Sequence, residues 1–228
     1  MKKKSKENMY DKFVNTMLEL ILEKGGLTDV NLRMVSKKIG CAHTNAYNYF
    51  DGFDGLIFAA YDRALDIYGS AVIQGLNSIS EGKVCFLKFV ENIVGFALEN
   101  PGYYRFIGSD TFNIHGLHPE TIGKAIQLKQ FFLDLFYAVV HPHINREASD
   151  QYASIIMSYL DGELFNIINK RAFPEDRVNE RILEYTEKLL HMFIAQSKQR
   201  VEASTDTSPF VCPEFPEYVL QYLSEDRQ

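Results

Sequence analysis

The sequence predicts an all-α protein, and three observations carry that expectation. Apolar residues recur at the three-and-four spacing of amphipathic helices from Tyr10 through the last long segment. No stretch alternates apolar and polar residues over the length of a strand, and there is no internal repeat. Gly25-Gly26, Gly40, Pro101-Gly102 and Pro142 stand where the periodic runs stop, as glycine and proline do at helix ends. The expected architecture is an N-terminal three-helix helix-turn-helix domain joined to a larger helical domain.

Each element follows from its own residues. Tyr10, Phe13, Val14, Met17, Leu18 and Ile21 define the first helix, which Gly25-Gly26 stops. A second short helix follows, with Asn31 placed to cap it and Leu32, Val35 and Ile39 turned inward. Gly40 ends it. A third short helix is expected over 42–49, and a fourth starts near Asp54. Short helices with a glycine between the second and third match a helix-turn-helix. Beyond Gly55 every segment reads helical. "VCFLKFVENIVGFALEN" is apolar on nearly all sides and belongs at the centre of the second core. His118 to Val140 carries Ile122, Ile126, Phe132, Phe136 and Val139. Ser149 to Arg171 carries Tyr152, Ile155, Ile156, Tyr159, Leu160, Leu164 and Ile167. The last long helix, Glu175 to Arg200, carries Val178, Ile182, Tyr185, Leu189 and Phe193. The tail opens as a Ser/Thr/Pro linker and closes in a short amphipathic piece with Phe215, Tyr218, Val219 and Tyr222. The expected domains are residues 1–55, 56–200 and a tail at 201–228.

Composition narrows the class. The 228 residues suffice for a sizeable core, and 46% hydrophobic with 24% charged residues is ordinary for a globular chain. The three cysteines, Cys41, Cys85 and Cys212, are odd in number and lack paired spacing, which fits neither a disulfide framework nor zinc and favours a reducing cytoplasm. The basic N-terminus has no apolar run behind it, and no segment is long and apolar enough for a bilayer, so neither export nor a membrane is expected. The net charge of −6 hides an asymmetry: residues 1–53 carry nine Lys/Arg, among them Lys2, Lys3, Lys4 and Lys6, against six Asp/Glu. A basic head on an acidic body suits a polyanionic partner.

The chemistry concentrates in residues 40–56, "GCAHTNAYNYFDGFDGL". Small polar side chains at a helix N-terminus fit a major groove, with flanking groups on phosphates. Asn45 and Asn48 each offer an acceptor beside a donor, the pattern that matches the N7 and N6 edge of adenine. His43 and Thr44 occupy the first turn, Tyr47 and Tyr49 can donate to phosphate oxygens, and Lys37 and Lys38 can neutralise backbone charge. The plain alternative is a polar exposed helix with Tyr47 and Phe50 packed on the first helix.

The span "NLRMVSKKIGCAHTNAYNYFDGFDGLI" resembles the N-terminal domain of TetR-family transcription regulators. Asn31 stands where that pattern has its Thr cap, Val35-Ser36 at the Ile-Ala pair, Gly40-Cys41-Ala42 at the turn, and Ala46-Tyr47-Asn48-Tyr49-Phe50 at the Tyr-x-Tyr-Phe end, with Leu56 closing it. The resemblance covers about residues 8–60. It implies an all-helical homodimer that binds double-stranded operator DNA and is released by a small-molecule effector held in the C-terminal domain. Three departures stand out: Ala42 replaces the capping Ser, Phe53 replaces the phosphate-binding Lys, and Asp51 and Asp54 flank it. Cys41 is either a thiol switch in the turn or the small apolar residue of the family's Val position.

Elsewhere, Tyr103, Tyr104, Phe106, Phe112, Phe132 and Phe136 are the best material for a ligand pocket, with Arg105, Asp110 and His115 as polar anchors and a hydrophobic or aromatic ligand expected. His115 and His118 lack a third ligand in register, and Gly116 and Pro119 suggest a loop, so no metal is expected; no cofactor is expected either. Gly162 would permit close helix approach in a two-fold dimer built from the last two long helices. No Ser/His/Asp, Cys/His or paired-carboxylate constellation stands at usable spacing, so an enzyme is not expected. The expectation is a cytoplasmic ligand-responsive DNA-binding repressor. Its rival is a helical small-molecule-binding or adaptor protein with a weakened helix-turn-helix.

Overall fold

A computed structural model describes residues 8–141, 144–171, 176–198 and 210–220. Lys2, Lys3, Lys4, Lys6, Pro142, His143, Glu175, Arg200 and Tyr222 lie outside them. The described residues hold no strand and eight α-helices: α1 (Met9–Lys24), α2 (Leu32–Ile39), α3 (Gly52–Val72), α4 (Gly82–Glu99), α5 (Pro101–Gly108), α6 (Pro119–Val140), α7 (Arg146–Ile168) and α8 (Val178–Lys198). The chain divides into two compact units, Met1–Ile67 with Asn100–Ile122, and Tyr68–Glu99 with Gly123–Gln228.

In the first unit, Asn8 caps α1 by accepting a hydrogen bond from the Asp11 N–H at 2.9 Å, and Gly25 ends it in the left-handed region at φ 73°. Phe13, Met17 and Ile21 are fully buried along one stripe of α1, against Val35 of α2 and Leu56 of α3 in the same core. The return of the chain through α5 completes this core. A methyl group on Gly102 would stand 2.5 Å from the Ile21 carbonyl oxygen, so only glycine lets α5 lie this close to α1. Arg105 donates through Nη1 to the Gly25 carbonyl, and the Asp110 carboxylate accepts from the Leu27 N–H at 2.6 Å. The backbone groups freed at the C-terminus of α1 are thus satisfied from residues some eighty positions later.

The second unit is built around α4, whose Phe86, Phe89, Val90, Ile93, Val94 and Ala97 are buried. Phe86 meets Phe132 and Phe136 of α6 edge-on at 5.6 and 5.5 Å between ring centroids, and Phe89 meets Phe131 at 5.3 Å. Ile156, Leu160 and Leu164 of α7 and Ile182 and Leu190 of α8 close the bundle. Asn92 donates to the Val72 and Gln74 carbonyls at 3.0 and 2.9 Å, satisfying the end of α3.

Two details of the sequence reading change. Pro101-Gly102 does not only stop α4: Pro101 is the first residue of α5, where its missing N–H is harmless. Ile122, Ile126, Ile155 and Tyr185 keep helical spacing but are exposed, and Thr121, Leu128, Phe131 and Leu135 take the inward positions of α6. Spacing alone leaves the phase of an apolar stripe open by a residue when both sides of it are apolar.

Candidate nucleic-acid interface

Two short elements carry the polar residues singled out in the sequence. The Asn31 side chain accepts from the Met34 N–H at 3.1 Å and starts α2. Gly40 ends it at φ 83°, with its N–H on the Ser36 and Lys37 carbonyls at 3.0 and 3.1 Å and the Cys41 N–H on the Ser36 carbonyl at 3.0 Å. A Cβ at Gly40 would meet nothing within 4 Å, so the turn requires glycine for its backbone angle and not for space.

The second of these elements is a 3₁₀ helix, His43–Asn48. Ala42 stands at its N-cap with no side-chain acceptor to offer, and the first bond is the tight one from the Asn45 N–H to the Ala42 carbonyl at 3.0 Å. Its back is fixed by burial of Ala46 and by Phe50, which stacks on Tyr10 at 4.9 Å and meets Phe13 edge-on at 5.8 Å. That leaves His43, Thr44, Tyr47, Asn48 and Tyr49 exposed and Asn45 half-buried. Tyr47 is 59% exposed and does not pack on α1; Phe50 does.

Hydrogen bonds and charges refine the set. Asn48 donates through Nδ2 to Asn45 Oδ1 at 3.0 Å, which fixes both amides and leaves Asn48 Oδ1 and one N–H outside that bond. Lys37 is exposed in the last turn of α2. Lys38 reaches back to α1, with Nζ 2.5 Å from Glu23 and 3.1 Å from Glu19, and those hydrogen bonds raise its pKa above the ordinary lysine value. Glu19 and Glu23, four apart on the outer face of α1, converge on this one lysine of α2. Gly52 turns the chain at φ 72°, Phe53 is half-buried, and Asp51 and Asp54 are exposed on either side. Asp54 lies in the first turn of α3, where it complements the helix dipole.

The residues read as a ligand set fall in both units. Arg105 and Asp110 hold the turn after α1, as described above. Phe106 and Phe112 lie 5.9 Å apart, and both contact Tyr61, at 5.6 and 5.0 Å. Tyr103 is buried, Tyr104 half-buried and His115 exposed on a short turn. Phe132 and Phe136 belong to the second unit, around Phe86. Tyr61 and Phe58 of α3 join the aromatic group of the first unit, a role their spacing in "LIFAAYDRAL" did not announce. The second unit contains a cavity of about 460 Å³ among Lys83, Tyr137, His141, His191, Phe210 and Val211, and another of about 450 Å³ lined by Ser70, Ile73, Gln74 and Phe215. Among the described residues no group of three or more His, Cys, Asp or Glu is placed for a metal, and no helix is long and apolar enough to cross a membrane.

An all-helical chain with an N-terminal helix-turn-helix and a larger helical bundle is the architecture of TetR-family transcriptional regulators, and solved structures of that family share the fold. A TetR-family regulator from Streptomyces coelicolor superposes with a TM-score of 0.63 at 12% identity, covering 98% of this chain and 100% of its own. A Rhodococcus sp. RHA1 protein of unknown function gives 0.67 at 12% identity over 84% and 98%. A TetR regulator from the same Rhodococcus strain gives 0.52 at 16% identity over 79% and 94%. No protein-family model and no curated protein matches the sequence.

Proposed function

We propose that the protein is a ligand-responsive, DNA-binding transcriptional repressor that acts as a homodimer, a regulator and not an enzyme. The observation that carries this reading is the exposed polar face of the 3₁₀ helix: His43, Thr44, Tyr47, Asn48 and Tyr49 are held outward by the burial of Ala46 and Phe50. Asn48 reads a base, its Oδ1 and remaining N–H matching the N6 and N7 edge of adenine while Asn45 steadies the amide. Tyr47, Tyr49 and Lys37 meet phosphates, and Asn31 holds the start of the helix beneath them. A second copy docks along α7 and α8, where Ile155, Tyr185 and Met192 are exposed and a Cβ at Gly162 would meet nothing within 4 Å. The two recognition elements then address major grooves about 34–36 Å apart. A hydrophobic or aromatic effector favouring a dimer with a different spacing empties the operator by population shift. The effector site belongs to the second unit, which holds Phe132, Phe136 and both cavities described above.

A second reading has its own observation. Lys38 is engaged by Glu19 and Glu23, and Asp51 and Asp54 are exposed beside Phe53, so the head has fewer cations to offer DNA than its composition suggests. A small-molecule-binding or adaptor protein with a weakened helix-turn-helix would look like this. Fluorescence-anisotropy titration of the DNA flanking the gene, over a salt series and against excess random DNA, separates the two. Binding that survives the competitor supports the repressor. Equal, weak binding to both DNAs, lost at moderate salt, supports the second reading.

A further inference from the structure

Cys85 and Cys212 are remote in sequence and adjacent in the second unit. Cys85, near the start of α4, is fully buried; its thiol lies 4.0 Å from the Leu76 carbonyl oxygen and is close enough to the thiol of Cys212 for each to affect the other's titration. Cys212 is half-buried in the segment 210–220, which is laid along the helices as a strap. Phe210 fills the space at Gly82, where a Cβ would come within 2.7 Å of its ring. The Phe215 ring meets Phe131 at 5.6 Å, and Tyr218 and Val219 are buried against Gly69. Phe210 therefore holds the strap at the start of α4, Phe215 anchors it to α6 and Tyr218 and Val219 anchor it to the end of α3; neither thiol is in a disulfide.

We propose that Cys85 and Cys212 are a redox dithiol site that closes to a disulfide on reaction with a low-molecular-weight disulfide, pinning the strap to α4. Cys212 reacts first because it alone of the two is partly exposed. Its thiol gives its proton to solvent base, and the thiolate attacks one sulfur of the small disulfide, expelling the other half as a thiolate. The Cys85 thiol then loses its proton, and its thiolate attacks Cys212 Sγ in the mixed disulfide and expels the second half. Two protein thiols are oxidised by two electrons, one small disulfide is reduced to two thiols, and the released protons balance the departing thiolates. Burial pushes the Cys85 thiol up to about 12, so closure is slow at neutral pH and speeds as pH rises. The strap forms walls of both cavities, Phe210 and Val211 of one and Phe215 of the other, with Cys212 between them. Closing the bond fixes those walls.

The test uses the full-length protein equilibrated with oxidised glutathione at mildly alkaline pH, acid-quenched, alkylated and mapped by mass spectrometry. The expected product is an intramolecular Cys85–Cys212 linkage with loss of both alkylation sites, formed in the native protein and replaced by mixed pairings with Cys41 when the chain is unfolded in urea. Cys85→Ser should retain glutathione on Cys212, whereas Cys212→Ser should leave Cys85 unmodified. Native wild-type protein that accumulates glutathione on Cys212 while Cys85 stays alkylatable would overturn the proposal. So would a native product with the same mixture of pairings as the unfolded chain, or native Cys85 and Cys212 that both stay alkylatable under oxidant that links cysteines in urea. The wild-type comparison decides the matter even if a variant fails to fold.

Discussion

Asn48 and Asn45 share one hydrogen bond on an otherwise open surface, and its value lies in orientation. An exposed amide loses rotamer freedom when it binds a base edge; an amide already held by a neighbour has less to lose. Asn48→Ala is expected to cost about 1–3 kcal/mol at a single base position and to relax preference there, read by anisotropy on a set of operator variants. Asn45→Ala should weaken the same preference less, by freeing the amide of Asn48. The two adjacent lysines should behave differently. Lys37→Ala is expected to lower the slope of log affinity against log salt by about one, as loss of one phosphate contact does. Lys38→Ala should leave that slope nearly unchanged, because Lys38 already faces Glu19 and Glu23. Equal slopes for both variants would show that Lys38 exchanges its carboxylates for phosphate.

At the scale of elements, the segment proposed to meet DNA is a 3₁₀ helix whose N-cap has no side-chain acceptor. Ala42→Ser supplies one and is expected to raise stability by about 1 kcal/mol, seen as a higher urea midpoint. Since the 3₁₀ rise is about 2.0 Å per residue against 1.5 Å in an α-helix, a change in DNA preference in the same variant would show that the tighter geometry takes part in readout. Gly102→Ala drives a methyl group into the Ile21 carbonyl and should destabilise the protein by about 1–3 kcal/mol through forced separation of α5 and α1. The sequence disclosed much of this level. Asn31, Gly25 and Gly40 mark their helix ends because capping and left-handed turns depend on one residue and its immediate neighbours. Gly102, Arg105 and Asp110 read as a helix stop and ligand anchors, since their partners, Ile21, Gly25 and Leu27, are about eighty residues away. The Cys85–Cys212 contact was hidden for the same reason: distance along the chain carries no mark of contact in space.

Across the whole molecule, buried acids that titrate at alkaline pH share one sign. Burial raises Cys85 from 9.0 to about 12 and Tyr159 from 10.0 to about 12, and it raises Tyr61, Tyr68 and Cys212 as well. Between the ordinary and the raised values the folded chain holds protons that the unfolded chain has released. Stability is therefore complete below about pH 9 and declines as pH rises toward 12. The urea midpoint should be level from neutrality to pH 9 and fall above it, with a shallower fall in Cys85→Ala; a midpoint that rises with alkali would contradict the burial of these groups. The first compact unit has a consequence for synthesis. Its helix-turn-helix is translated within the first 67 residues, yet Arg105 and Asp110, which satisfy the Gly25 carbonyl and the Leu27 N–H, are translated much later. A ribosome releases the chain from its N-terminus onward, so the head emerges with those backbone groups still open to water and closes only after α5 has followed. The part of the protein made first is thus finished only after the first helix of the second unit has left the ribosome.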